Sequence, residues 1–225
     1  MQTVLLDFNT RAQEVNEYFL FLEGLITEKT KLAIVLGDDG VQKVTFIDPG
    51  LAKTLKANGF LLLYNLVEST MRNAIEAIFD ELSSNKVSFN SIRNEIKKVV
   101  LYNFKNRSPN NIHSKITDIS IDIITAGFNR KELFSGNVDR DEITKTARKY
   151  GFSHDTDYSK TKHGENLNDI MRKRNDLAHG NKSFAEVGRD TSIGDLLQIK
   201  EEVIEYLKQI LQNIDDYLVK KEYLA

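Results

Sequence analysis

Phe60-Leu61-Leu62-Leu63-Tyr64-Asn65-Leu66-Val67 decides the fold: seven of these eight residues are apolar or aromatic, so a helix built from them has no face to give to water. A helix apolar all round is buried on several sides. The stretch therefore belongs to a long central helix, expected from about Leu51 to Leu82 and introduced by Pro49 and Gly50. Upstream, Phe8, Ala12, Val15, Phe19, Leu22 and Ile26 repeat in helical rhythm and predict a first helix over Phe8 to Ile26. Between the two helices the rhythm breaks. Leu32 to Leu36 and Val41 to Ile47 are β-prone runs around Gly37, Asp38, Asp39 and Gly40, which predicts a small hairpin insertion near residues 32–47; an irregular loop is the alternative.

Downstream, Ile92, Ile96, Val99, Val100 and Phe104 predict a third helix, Arg107 to Asn111 a loop, and Ile112 to Thr125 a shorter helix. A connector after Gly127 leads to a helix from Asp139 to Tyr150 that Gly151 ends. Ser153 to Lys162 reads as a polar loop and a candidate substrate-facing element. From Ile193 to Leu218 the apolar spacing is the clearest in the chain. The fold class is all-α, with long antiparallel helices in one domain over residues 1–225.

Composition narrows the function classes. Only Pro49 and Pro109 interrupt the chain, which suits long helices, and the absence of cysteine excludes disulfides, thiolate metal sites and cysteine nucleophiles. No apolar run approaches the ~20 residues of a membrane span, and no signal pattern opens the chain, so a cytoplasmic protein is expected. A formal charge of −2 rules out a uniformly basic nucleic-acid binder. Between Lys160 and Lys182, however, six basic residues face three acidic ones, making this stretch the most favourable landing place for a phosphate backbone, or else a solvated helix face.

Within that stretch, Leu167, Ile170, Met171, Arg174, Leu177 and Ala178 mark an amphipathic helix, and Gly180 and Asn181 stop it. Arg174 and His179 thus bring a permanent cation and a side chain that exchanges protons near neutral pH to one helix end. That is minimal equipment for cleaving a phosphodiester. Five residues of helix place the two about 140° apart, so they converge only if the last turn unwinds, which Gly180 permits, or if the arginine reaches back.

Arg174, Asn175 and His179 resemble the hallmark of the HEPN superfamily: an arginine, a polar residue after it, and a histidine four to six positions further on. Phe134 to Asp139, followed by Ile143, Ala147, Lys149, Tyr150, Gly151 and Phe152, is similar to the connector before the motif helix in bacterial HEPN families. Together with the Phe60 to Leu82 helix, nearly the whole chain resembles the bacterial MAE-type branch, associated with toxin-antitoxin loci. The resemblance implies a HEPN-like helical bundle, a homodimer, and an antitoxin protein from a neighbouring gene. Some such toxins carry a tyrosine two residues after the histidine; here that position is Asn181.

The function expected is a metal-independent endoribonuclease, acting as a toxin or defence effector. RNA carries its own nucleophile, the 2′-OH, so the protein need supply only proton transfer, from His179, and a cation, from Arg174. No cofactor or metal is called for. Asn175 positions substrate or caps the helix; Arg172 and Lys173 supply phosphate contacts; Glu68 orients Arg174 or His179, or faces solvent. Arg174 could instead pair with Glu68 or Asp176, and His179 could cap its own last carbonyls. His113, His154 and His163 read as surface residues, with no spacing that suggests metal. The competing function is a non-catalytic HEPN-like module that binds RNA, a nucleotide or a partner protein.

Overall fold

The computed structural model describes residues 1–36, 41–105, 119–130, 133, 134 and 136–225. In chain order the helices are α1 (Gln2–Ile26), α2 (Pro49–Ser84), α3 (Asn94–Lys105), α4 (Ile119–Gly127), α5 (Arg140–Tyr150), α6 (Tyr158–Thr161), α7 (Asn166–Ala178), α8 (Phe184–Arg189) and α9 (Ile193–Val219). Strands β1 (Leu32–Leu36) and β2 (Val41–Thr45) lie between α1 and α2.

α2 is the axis of the core. It starts at Pro49, earlier than expected, because the Asp48 carboxylate accepts from the Gly50 and Leu51 amides at 2.8 and 3.0 Å and proline suits the first helical position. Phe60, Leu63, Tyr64, Leu66 and Val67 are buried, and α1, α4, α7, α8 and α9 all pack on this helix. From α1 come Phe8, Ala12, Val15, Phe19 and Leu22 as expected, with Leu25 rather than Ile26 closing the buried stripe.

Two side-chain contacts give the direction of α1. Tyr18 donates to the Leu55 carbonyl at 2.6 Å, and Asn73 donates to Asp7 at 2.8 Å, so advancing along α1 means retreating along α2. The pair is antiparallel. α9 runs the other way, parallel to α2: Lys56 donates to the Thr191 carbonyl at 2.5 Å near the start of both helices, and Ile92 bridges Leu224 beyond their ends.

The hairpin forms, with Leu32 opposite Thr45 and Leu36 opposite Val41, although β2 stops at Thr45 rather than Ile47; its turn, residues 37–40, lies outside the described residues. The loop expected over Arg107 to Asn111 and the first part of the helix expected from Ile112 also lie outside them. The Ser153 to Lys162 segment is not wholly a loop: Asp157 caps α6, accepting from Ser159 at 2.9 Å. The sequence reading also lacks α8, which a reciprocal capping box between Ser183 and Glu186 begins.

Candidate active site

α7 presents Leu167 and Ile170 to the core and ends at Ala178. Gly180, at φ 68°, follows the C-cap His179. The Asn181 amide donates to the Asp176 carbonyl at 2.8 Å and the Gly180 amide to Leu177 at 3.3 Å, the pair of bonds of a Schellman motif. The His179 amide still donates to Asn175 at 3.0 Å, so the last turn stays wound and the unwinding expected from Gly180 does not occur. At about 100° per residue, Arg174 and His179 therefore point to different sides of the helix. The structure does not bring them together within one chain: His179 is exposed, with no side-chain hydrogen bond among the described residues, while Arg174 is half-buried.

Arg174 is held by neutral groups. Its Nη1 donates to Asn175 Oδ1 at 2.8 Å and to the Gly136 carbonyl at 3.3 Å, and its guanidinium carbon lies 4.5 Å from the centre of the Tyr64 ring. Among the described residues no carboxylate pairs with it, so neither Glu68 nor Asp176 is its counter-ion. The Tyr64 hydroxyl donates to the same Gly136 carbonyl and accepts from the Val138 amide at 3.3 Å. Burial pushes the Tyr64 phenol above its ordinary pKa, which keeps the hydroxyl available as a donor.

Asn175 links the parts. Its amide nitrogen donates to Asn137 Oδ1 at 2.8 Å while its oxygen receives Arg174, and it stands four residues before His179 on the same face of α7. Glu68 is displaced from its expected role. It pairs with Arg72 at 2.8 Å, and Arg72 donates in turn to the Phe134 carbonyl at 2.7 Å, so this ion pair anchors the connector that carries Gly136.

The basic stretch is largely neutralised. Lys173 pairs with Asp169 at 2.8 Å, donates to Thr191 at 3.0 Å and lies 4.0 Å from the centre of the Phe60 ring, which turns it inward as a brace between α7 and the core. Arg172 pairs with the same Asp169 from an exposed position, and Lys182 meets Asp176 at 3.3 Å. Burial would raise the Asp169 pKa, but the Lys173 and Arg172 contacts outweigh it and the carboxyl stays below its usual range. Beside Asn175 lies an open depression of about 590 Å³ with Arg172 and four carboxylates, Asp139, Glu165, Asp169 and Asp176, in its lining. Among the described residues, no three acidic or histidine side chains are grouped to hold a metal ion.

Sequence reasoning missed Tyr64 and Asn137 as partners of the motif. The one available signal for Tyr64 is a phenol inside a run of leucines, whose polar tip must find a partner when buried.

The fold and the helix end together define an all-α bundle that closes an Arg-to-His segment on a capped turn. Over residues 1–223 the chain matches the family described as HEPN_MAE_28990:/-like HEPN, and it belongs to that family of the HEPN superfamily. No curated protein and no solved structure matches it.

Proposed function

We propose that this chain, as one HEPN domain over residues 1–225, is a metal-independent endoribonuclease acting as a toxin or defence effector in the cytoplasm. The observation that carries the reading is the half-buried Arg174 guanidinium, held among the described residues by a carbonyl, an amide oxygen and a ring face, with no carboxylate partner among them. A cation kept without a counter-ion retains its capacity to attract an anion, which a carboxylate partner would consume. Arg174 stabilises the charge that builds on the phosphorus oxygens, Asn175 fixes the guanidinium, and exposed His179 moves the proton of the attacking 2′-OH or the leaving 5′-oxygen. Arg172 meets flanking phosphate at the rim, whereas Lys173 and Glu68 brace the helix and connector.

In-line attack puts the 2′-oxygen and the leaving 5′-oxygen on opposite sides of the phosphorus, so one imidazole does not reach both as base and acid. A two-fold homodimer that brings two α7 ends together supplies the second and lets the partner's histidine approach Arg174. The partner that silences the enzyme is an antitoxin protein.

The test uses two RNA oligonucleotides in excess EDTA, one with a single 2′-deoxy substitution at the cleaved nucleotide. The all-ribose strand is expected to give a 2′,3′-cyclic phosphate and the substituted strand to resist. Cutting at the substituted position, or loss of all cutting in EDTA, overturns the mechanism.

One observation favours a second reading, a HEPN module that binds without cleaving: the depression beside Asn175 is acidic and suits a basic protein segment better than RNA. Under that reading, neither wild type nor His179→Ala cuts RNA.

A further inference from the structure

A cavity of about 240 Å³ opens between α5 and the segment that precedes α7, lined by Arg140, Thr144, Arg148, His154, Asp155, His163 and Tyr206. Arg140, Thr144 and Arg148 are spaced four residues apart on α5 and turn toward one side of it. Neither arginine makes an ion pair among the described residues, in contrast to Arg172, Lys173 and Lys182 near the motif. Tyr206 is 2% exposed as a residue, and its hydroxyl, which makes no hydrogen bond among the described residues, is not among the buried unpaired atoms and so reaches the solvent of the cavity. A hydroxyl at a cavity wall without a protein partner has its donor to offer to what enters.

The opposite wall is built at a conformational cost. Lys162 and His163 both adopt positive φ, 48° and 50°, and Gly164 follows at 76°. Positive φ at a non-glycine residue is a strain that persists where surrounding structure over-determines it. Here the surroundings are the Tyr206 ring, which a Cβ on Gly164 would meet at 2.9 Å, and the Thr161 hydroxyl, which accepts from the His163 amide at 3.0 Å. The result is to bring His163 to the cavity. Its Nδ1 is engaged by Thr156 at 3.1 Å, which leaves Nε2 to meet a ligand.

We infer that this cavity is a phosphoryl-binding site, separate from the Arg174 to His179 segment, in which Arg140 and Arg148 supply the charge and Thr144, His154, His163 and Tyr206 supply hydrogen bonds. The chemistry is that of a group rich in acceptors: two guanidinium forks, a hydroxyl, a phenol and two imidazoles offer more donors than a carboxylate can use. Asp155, 93% exposed, accepts from Ser153 at 3.2 Å and stands 3.8 Å from His154 Nδ1, so an anion displaces it from that imidazole. The volume is below the roughly 300–1,000 Å³ of sites that enclose drug-sized ligands, so the phosphate enters and the rest of its molecule stays outside. That phosphate comes from a small free ester or from an RNA strand. The site stands whether or not the chain cleaves RNA, because its readout is binding.

The chain has four histidines, His113, His154, His163 and His179, so imidazole proton resonances give a four-signal report once assigned by single substitution. Inorganic phosphate, and separately a 2′-O-methyl RNA oligonucleotide that cannot be cut through its own 2′-oxygen, are titrated into the full chain. Movement of the His154 and His163 signals with phosphate assigns the site to small phosphates; movement with the oligonucleotide alone assigns it to a strand. Arg148→Gln, at an exposed position, and Arg140→Gln are each expected to weaken that response by about tenfold or more while leaving the circular dichroism unchanged. The proposal is overturned if neither probe moves the His154 and His163 signals, or if they move as much in both arginine variants. Loss of cleavage in the His179→Ala protein with these responses intact would separate the two sites.

Discussion

The guanidinium of Arg174 and the hydroxyl of Tyr64 donate to one carbonyl, that of Gly136, while the guanidinium lies over the Tyr64 ring at 4.5 Å. A residue from the core helix and a residue from the motif helix thus share an acceptor on the connector. The shared carbonyl fixes the distance between two residues that lie more than a hundred positions apart in the chain.

Arg174→Lys is expected to keep the fold and lose cleavage. Lysine preserves the charge but cannot reach the carbonyl, the Asn175 oxygen and the ring at once. Single-turnover cleavage should fall by about 100-fold or more, the scale of removing one oriented donor from a transition state. A lysine variant that cuts at the wild-type rate would show that charge alone is needed.

Induced expression of the wild type should arrest growth and degrade RNA, and His179→Ala should do neither. Because His179 is exposed at a helix end, its removal opens no cavity, and stability should change by less than about 0.5 kcal/mol in denaturant titration. Equal toxicity of the two proteins would remove His179 from the chemistry.

Light scattering at micromolar concentration should report a dimer. A monomer that retains full ribonuclease activity would contradict the need for a second histidine.

Gly180→Ala tests the helix end. A Cβ there meets nothing within 4 Å, so the whole cost is the left-handed backbone at φ 68°. Thermal denaturation should show a loss of about 1 kcal/mol, with cleavage reduced further if the position of His179 matters.

Asp169→Asn should destabilise the protein by roughly 1 kcal/mol at neutral pH, because its half-buried carboxylate holds Lys173 and Arg172. Its pKa is depressed in the fold, so this stability is present above the unfolded value of about 4 and is lost as pH falls through the lower folded value. The melting temperatures of variant and wild type should therefore converge in acid. A difference that stays constant from neutral pH into acid would mean that the ion pairs contribute nothing.

Burial is what the chain writes most plainly. The run from Phe60 to Val67 and the spacing from Ile193 to Leu218 could be read as core helices because a packed face imposes its period on the sequence. Short elements leave less trace: α8 has six residues and no full apolar period, and only its Ser183 to Glu186 box announces it. The surroundings of Arg174 were hidden for another reason. Gly136 and Tyr64 come to it from distant parts of the chain, and a carbonyl has no letter in a sequence. The neutralised charge was in principle visible, since Asp169 stands three and four residues before Arg172 and Lys173, the spacing at which helix side chains pair. Counting net charge over the stretch discarded that spacing.

On the proposed mechanism, the wound last turn of α7, which sends His179 away from its own Arg174, leaves each chain with half of what cleavage needs. Cleavage would then be a matter of dosage: below the dimer dissociation constant the active species grows with the square of the copy number. A cell could carry a few molecules without harm and cross into damage over a narrow rise in synthesis, a threshold set by an angle of helix geometry.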